Sequence, residues 1–264
     1  GVSGLLLRRR LVCPGARLVL GGSAHVGRHV LPDQISEALQ DALYDCDWLP
    51  YEVFENDMQV NGNTLRLREE AYQVLIVPPV EAIPCATLAK VKQFFDAGGI
   101  VVGYGFLPTK STTLGTAADD ITALREAVWG AAQPGLNVCR CSPTGGRSYL
   151  LPEQPTPEQL QQVLAGDAGV PATLEVVEGE TAHWLHVLHR VKAGCDVFFI
   201  TNQDHRGEPR RFKFRITAAG EPECWDAMRN EITAIAHHRT GPQTELALTL
   251  APNDSVLLVF QPAK

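Results

Sequence analysis

Between Tyr72 and Gly105 the chain reads YQVLIVPPVEAIPCATLAKVKQFFDAGGIVVGYG, and few folds accommodate that order of residues. Val74 to Val77 is an unbroken aliphatic run, which suits a strand buried on both faces of a parallel sheet. Pro78, Pro79 and Pro84 stop the strand and set up a helix start. Leu88, Val91, Phe94 and Phe95 then recur at helical spacing, with Lys90, Lys92 and Gln93 between them. Gly98-Gly99 ends the helix where a positive φ is wanted, and Ile100 to Val102 opens a second buried strand. The unit is strand, helix, strand.

The neighbouring segments continue this alternation. Ala16 to Leu20 reads as a strand. Ile35 to Tyr44 reads as a helix capped by Asp33, with its apolar stripe at 35, 38, 39, 42 and 43. Tyr51 to Phe54 reads as a short strand, and Asn61-Gly62-Asn63 as a hairpin turn within 57–67. Asp119 to Trp129 is another helix, Gln133 to Gly146 a loop, and Pro152 to Leu164 a last helix. The alternation predicts an α/β flavodoxin-like domain with a mainly parallel sheet over residues 1–168. After Gly166 the texture changes to short β-rich runs: 174–177, 183–191, 196–201, 211–216, 245–250 and 255–260. Turn residues separate them, which predicts an all-β antiparallel sandwich over 169–264.

Composition narrows the functions available. Among 264 residues 45% are hydrophobic, enough for a sizeable core, and the formal net charge of -7 opposes a nucleic-acid or anionic-membrane partner. Arg8-Arg9-Arg10 and Arg210-Arg211 are local clusters and are read as solvated edges. The seven cysteines have no disulfide or zinc spacing, which favours a reducing cytoplasm and predicts no metal and no cofactor. The apolar Leu5 to Leu7 precede the arginines, the reverse of a signal peptide. No apolar run approaches the roughly 20 residues of a membrane span.

The series YEVFENDMQVNGNTLRLREEAYQVLIVPPVEAIPCATLAKVKQFFDAGGIVVGYGFLP resembles the class I glutamine-amidotransferase-like domain of multidomain glycoside hydrolases. It is most similar to that of the α-L-rhamnosidase-like group, and more distantly to the β-galactosidase trimerisation domain. The echoes are Glu55 and Asp57 after a strand, Tyr72 before the VLIVP run, Ile83-Pro84, Thr87-Leu88, Phe94-Phe95 and Gly98-Gly99. DVFFITNQDHRGEPRRFKFRITAAGEPECWDAMRNEI resembles the β-sandwich that follows in those enzymes. Its Gly220, Pro222, Trp225 and Asp226 match a turn, and LAPNDSVLLVF matches the closing strand. The resemblance covers about residues 35–110 and 195–262. It implies a catalytic barrel N-terminal to these domains. Fewer than fifty residues precede the resemblance, whereas a barrel needs on the order of 200. No catalytic residue of the family can therefore be placed on this chain. The amidotransferase nucleophile is missing as well: Pro78-Pro79 occupies the turn after the strand, and Cys85 comes later, without a paired His.

Three groups of side chains invite a functional reading beside a structural one. Glu52, Glu55 and Asp57 are carboxylates at the presumed C-terminal end of a strand, where open α/β sheets bind ligands. Glu55 and Asp57 are the candidate catalytic pair, since glycosidases need two carboxylates roughly 5–9.5 Å apart; a solvated turn is the plain alternative. His183, His186 and His189 recur at every third position, but their apolar neighbours suit a strand, on which His186 faces away from the other two. Trp184 and Tyr104 are candidates for carbohydrate contact by ring stacking, or else core packing. The chain is thus expected to be an accessory portion of a glycoside hydrolase that scaffolds, oligomerises or touches carbohydrate beside a catalytic domain. A small self-contained hydrolase and a non-catalytic sugar- or protein-binding module are the alternatives. The expected partners are carbohydrate or a glycosidase catalytic domain, with a homo-oligomer possible.

Overall fold

The computed structural model describes residues 17–21, 27–28, 33–68, 70–180 and 184–261. Strand dominates and helix is a minor part. The described chain divides into two compact units. One takes in the chain up to Ala38 and Cys46–Val170; the other takes in Leu39–Asp45 and the chain from Pro171 onward.

The first unit begins with β1 (Arg17–Gly21), the start of α1 (Asp33–Asp41), β2 (Cys46–Pro50) and α2 (Tyr51–Asn56). A small antiparallel sheet follows: β3 (Gln59–Asn61), β4 (Thr64–Leu67) and β5 (Glu70–Tyr72). Next come β6 (Val74–Val77), β7 (Ala82–Ile83), α3 (Cys85–Asp96), β8 (Ile100–Tyr104), β9 (Lys110–Ser111) and α4 (Ala118–Trp129). β10 (Val138–Cys141), β11 (Arg147–Leu151) and α5 (Pro157–Gln161) complete it. A Thr156/Gln159 capping box starts α5, and a wider π-helical turn, Gln162–Asp167, continues from it.

The main sheet has the order β10-β11-β8-β6-β1-β2. The four pairings from β11 to β2 leave β11, β8, β6, β1 and β2 mutually parallel, and β10 is an antiparallel edge. All four residues of β6 are buried, as the aliphatic run requires of a strand covered on both faces. On one face Leu75, Val77 and Val101 pack in a cluster with Leu88, Val91, Phe94 and Phe95 of α3 and Ile121, Val128 and Trp129 of α4. Burial of each such side chain is worth roughly 1.5–3 kcal/mol. Trp129 is fixed at the far end of α4, where its indole N–H donates to the Tyr149 carbonyl at 3.0 Å.

The second unit is wholly β after Leu39–Asp45. One antiparallel sheet contains β12 (Glu175–Glu178), β15 (Arg210–Thr217), β19 (Gln243–Leu250) and β18 (His237–Thr240), in that order. The other contains β13 (Leu185–Lys192), β14 (Cys195–Asn202), β20 (Ser255–Gln261), β16 (Glu221–Asp226) and β17 (Glu231–Ala234). One core joins them: Phe212, Phe214 and Leu246 come from the first sheet, and Phe198, Ile200, Leu258 and Phe260 from the second. Leu43, held at a positive φ of 61°, adds its side chain to this core. Its carbonyl accepts from Thr173, and Asp45 pairs with Arg190 at 2.8 Å.

Three sequence expectations are corrected. Tyr51 to Phe54 is helix, because Pro50 ends β2 and Tyr51 and Phe54 are buried three positions apart, on one helical face. The Gln133–Gly146 loop contains β10, whose side chains are half-buried or exposed and so carry no hydrophobic signal. The Gly220–Asp226 turn is strand β16, in which Trp225 stands between Leu257 and Ile232. α1 runs from Asp33 to Asp41.

Gly146 lies where the β10–β11 hairpin passes under α3. A Cβ there would overlap the Phe95 carbonyl oxygen and crowd that of Gly99, and no rotamer change relieves a clash with backbone. Gly166, inside the π-helical turn, has open space around its Cα. Gly146→Ala is therefore expected to destabilise by about 2–3 kcal/mol, and Gly166→Ala to be neutral or to stabilise by up to about 1 kcal/mol. Urea denaturation of the two variants checks this; equal effects would refute the packing described.

Candidate functional site

In open parallel sheets ligands gather beyond the C-terminal strand ends, where neighbouring strands send their connections in opposite directions. Here that point lies between β1, whose chain moves on to β2, and β6, whose chain moves on to β8. The loops that follow these strands are tied together by charge. The Arg28 backbone N–H donates to Glu81 Oε2 at 2.8 Å, and the Glu81 N–H donates to the Arg28 carbonyl at 2.7 Å. Lys110 pairs with Glu81 Oε1. The Glu81 carbonyl accepts from the N–H groups of Thr109 (2.9 Å) and Lys110 (3.0 Å). Arg28 also reaches Glu153 Oε2 at 3.0 Å, and its guanidinium lies 4.4 Å from the Phe106 ring centre. Loops after β1, β6, β8 and β11 thus meet at one acid, Glu81, and one base, Arg28. The Lys110 hydrogen bond, helped by the Arg28 N–H, holds the Glu81 carboxyl below the usual carboxylate range.

The carboxylates singled out from sequence lie on α2 and just after it, not at a strand end. Glu52 is in its first turn, and Asp57 is its exposed C-cap, with the backbone N–H donating to Val53 at 3.0 Å. Glu55 turns toward α3, where Thr87 donates to its carboxylate. Lys90 donates to the Glu55 carbonyl at 2.8 Å and to the Met58 carbonyl at 2.5 Å, and sits 5.6 Å from the Phe54 ring centre. A lysine there satisfies carbonyls at a helix end; burial pushes its pKa down, against the pull of Glu55 and Asp57. Tyr104 is fully buried at the end of β8.

In the second unit Trp184, Gln203, Asp204 and His205 line a cavity of about 260 Å³. The Gln203 N–H donates to the Trp184 carbonyl at 2.7 Å, and buried Asn202 anchors the loop by accepting from the Asp204 N–H at 3.0 Å. Asp204 accepts from the Arg206 N–H at 3.0 Å and pairs with Arg210 at 3.0 Å. The Arg206 N–H and then Arg210 hold its carboxyl below the usual range. Arg210 lies over the Trp184 ring at 4.2 Å and also binds Glu180 at 2.9 Å. Of the three spaced histidines, His183 lies outside the described residues. His186 and His189 are on β13, where His189 stacks on Phe198 and bonds Asp196, while His186 meets Gln203. Among the described residues no group of three or more His, Cys, Asp or Glu converges as a metal site would. No helix among them is long and apolar enough to cross a membrane.

Comparison with known proteins places this architecture among glycoside hydrolase-related domains. A rhamnosidase from Novosphingobium sp. PP1Y superposes with a TM-score of 0.72 at 15% identity, over 95% of this chain and 23% of that one. A β-galactosidase from Bacillus circulans sp. alkalophilus gives 0.58 at 15% identity, over 94% and 42%. An α-L-fucosidase isoenzyme from Paenibacillus thiaminolyticus gives 0.54 at 10%, over 95% and 49%. At these identities the likeness is one of fold, and the chain spans less than half of each of these proteins. The α-L-rhamnosidase family's sequence profile matches residues 28–239, and the chain belongs to that family. None of the curated proteins matches it.

Arg28, Glu81, Lys110 and Glu153 were not singled out from sequence. Two carry a local signal, an acid following a strand-ending proline: Val77-Pro78-Pro79-Val80-Glu81 and Leu151-Pro152-Glu153. Their cationic partners carry none. Because Glu81 and Asp204 have lowered pKa values when folded, the unfolded chain takes up protons first as pH falls. Their contribution to stability is present above the ordinary carboxylate range and is lost below it. The thermal midpoint should fall between about pH 5 and pH 3, and more gently in the Glu81→Gln and Asp204→Asn variants. Scanning calorimetry across that range checks this; parallel curves for wild type and variants would contradict it.

Proposed function

We propose that the chain is an ancillary, non-catalytic portion of an α-L-rhamnosidase-family glycoside hydrolase, working beside a catalytic domain supplied by a longer polypeptide. Its first unit is read as a flavodoxin-like domain of the amidotransferase-like kind with a degenerate site, and its second as a β-sandwich, joined near residues 168 and 169. In support of the first, the parallel strands number 2-1-3-4-5 across the sheet when counted along the chain, the flavodoxin order.

One observation carries the functional reading. Glycoside hydrolysis needs one carboxyl that stays protonated near neutral pH and a second that stays ionised. At the ligand-bearing end of this sheet Glu81 is paired with Lys110 and held ionised, and Glu153 is paired with Arg28. Of the described Asp and Glu residues that depart clearly from ordinary values, Glu81, Glu158, Asp204, Asp226 and Glu245, all shift down. That is the wrong direction for a general acid. A self-contained hydrolase using Glu55 and Asp57 is the weaker reading, because the Glu55 carboxylate already accepts from Thr87 between two packed helices.

The purified chain is expected to release no aryl alcohol from aryl α-L-rhamnosides or aryl β-D-galactosides. A turnover that disappears in Glu55→Gln or Asp57→Asn, with folding intact, would establish the hydrolase reading instead.

A further inference from the structure

We infer that β17, the open edge of the five-stranded sheet, is a docking surface for a second copy of this chain, the two β17 strands pairing antiparallel about a two-fold axis at Ile232. The inference goes beyond the glycosidase-ancillary reading and does not rest on it. β17 is bonded to β16 on one side, and among the described residues no strand pairs with its other side. A strand so placed holds out a row of backbone N–H and C=O groups to any second strand. All four of its residues are exposed, and so are the four of β18, which follows after Ile235-Ala236. Ile232 is 62% exposed, and Met228, in the turn before β17, is 86% exposed.

An apolar row leads to that edge. Directly opposed residues of neighbouring strands share a face. Leu188, Phe199, Leu257, Trp225 and Ile232 oppose one another in turn across β13, β14, β20, β16 and β17. Phe198 and Leu258, next in sequence to Phe199 and Leu257, belong to the sandwich core, so the row lies on the outer face. The outer face of the other sheet differs: Arg215 binds Glu175 and Glu245, and Lys213 also binds Glu245. Those charges are matched among themselves and suit water. On the five-stranded sheet an apolar row runs out to an open edge instead.

Charge selects the occupant. Glu231 is the single charged residue of β17, so a strongly basic or acidic strand finds little to hold there. The same strand from a second copy fits. With Ile232 opposite Ile232 of the partner subunit, Glu231 meets Thr233 of the partner subunit, and no carboxylate faces another. The two apolar rows then join into one. Such an isologous two-fold contact is the commonest route to a dimer. A strand of four residues buries less than the roughly 1,200 Å² of a standard interface, so the dimer is weak and forms in the micromolar range. Each copy carries a formal net charge of -7, so added salt strengthens the pairing by screening.

Sedimentation velocity on the full chain, from low to high micromolar concentration at physiological ionic strength, tests this. The mean mass should rise toward that of two chains. Ile232→Lys changes an exposed side chain, puts like charges on the axis and should weaken association about tenfold or more. Leu114→Lys, at a residue of the first unit that is 98% exposed, should leave it unchanged. Cross-linking reads the register. Residues opposed across the axis have Cα atoms roughly 4.5–5.5 Å apart, within disulfide reach, whereas diagonal ones stand about 7–8 Å apart. Copper-phenanthroline oxidation should therefore link Ile232→Cys into a covalent dimer far faster than Glu231→Cys or wild type. A chain that stays monomeric throughout, a dimer indifferent to Ile232→Lys, or equal cross-linking of the two cysteine variants would overturn the inference.

Discussion

Glu81 is the residue that ties together the loops beyond the C-terminal ends of the parallel strands. Its backbone and its carboxylate together join the loops after β1, β6 and β8, and Arg28 extends the link to the loop after β11. Open parallel sheets leave that end available for ligands because the loops part where the strand order reverses. Here side chains from those same loops meet across it. Individually these pairs are half-exposed and worth little to stability. Their consequence is electrostatic, since each acid is matched by a base and a lone carboxyl in an apolar pocket, the usual way to make a general acid, is not what Glu81 offers.

The scaffold under this cluster is rigid for ordinary reasons. β6 is buried throughout, α3 and α4 cover one face with Phe94, Phe95 and Trp129, and Gly146 lets the β10–β11 hairpin come within backbone contact of the end of α3. Lys90 closes the C-terminal end of α2 against α3. Of the acids in this stretch, Glu55 accepts from Thr87 of α3, while Glu52 and Asp57 are exposed.

How far sequence could be read follows from where each signal lies. β6, α3 and β8 were legible because burial on both faces, helical spacing and a glycine pair mark them locally. Gly98 does take a positive φ, 104°. The sandwich strands with buried faces, such as β15 and β20, were legible for the same reason. α2 was not, because Tyr51, Val53 and Phe54 fit a short strand nearly as well as a single helical face until Pro50 is seen to end β2. β10, β17 and β18 are edge strands with little or no buried surface, so no period shows. The site itself is non-local: Arg28 and Glu153 stand 125 residues apart, and nothing near either announces the other.

The central claim is that Glu81, beyond the C-terminal ends of the parallel strands, is held ionised by Lys110 and the Arg28 N–H. A carboxyl-carbon NMR titration of Glu81 in the intact chain tests it most directly. The account requires its midpoint to lie below the ordinary 4.5 and to rise toward that value in Lys110→Met. A midpoint of about 6 or higher, the range of a carboxyl poised to donate a proton to a leaving group, would contradict it.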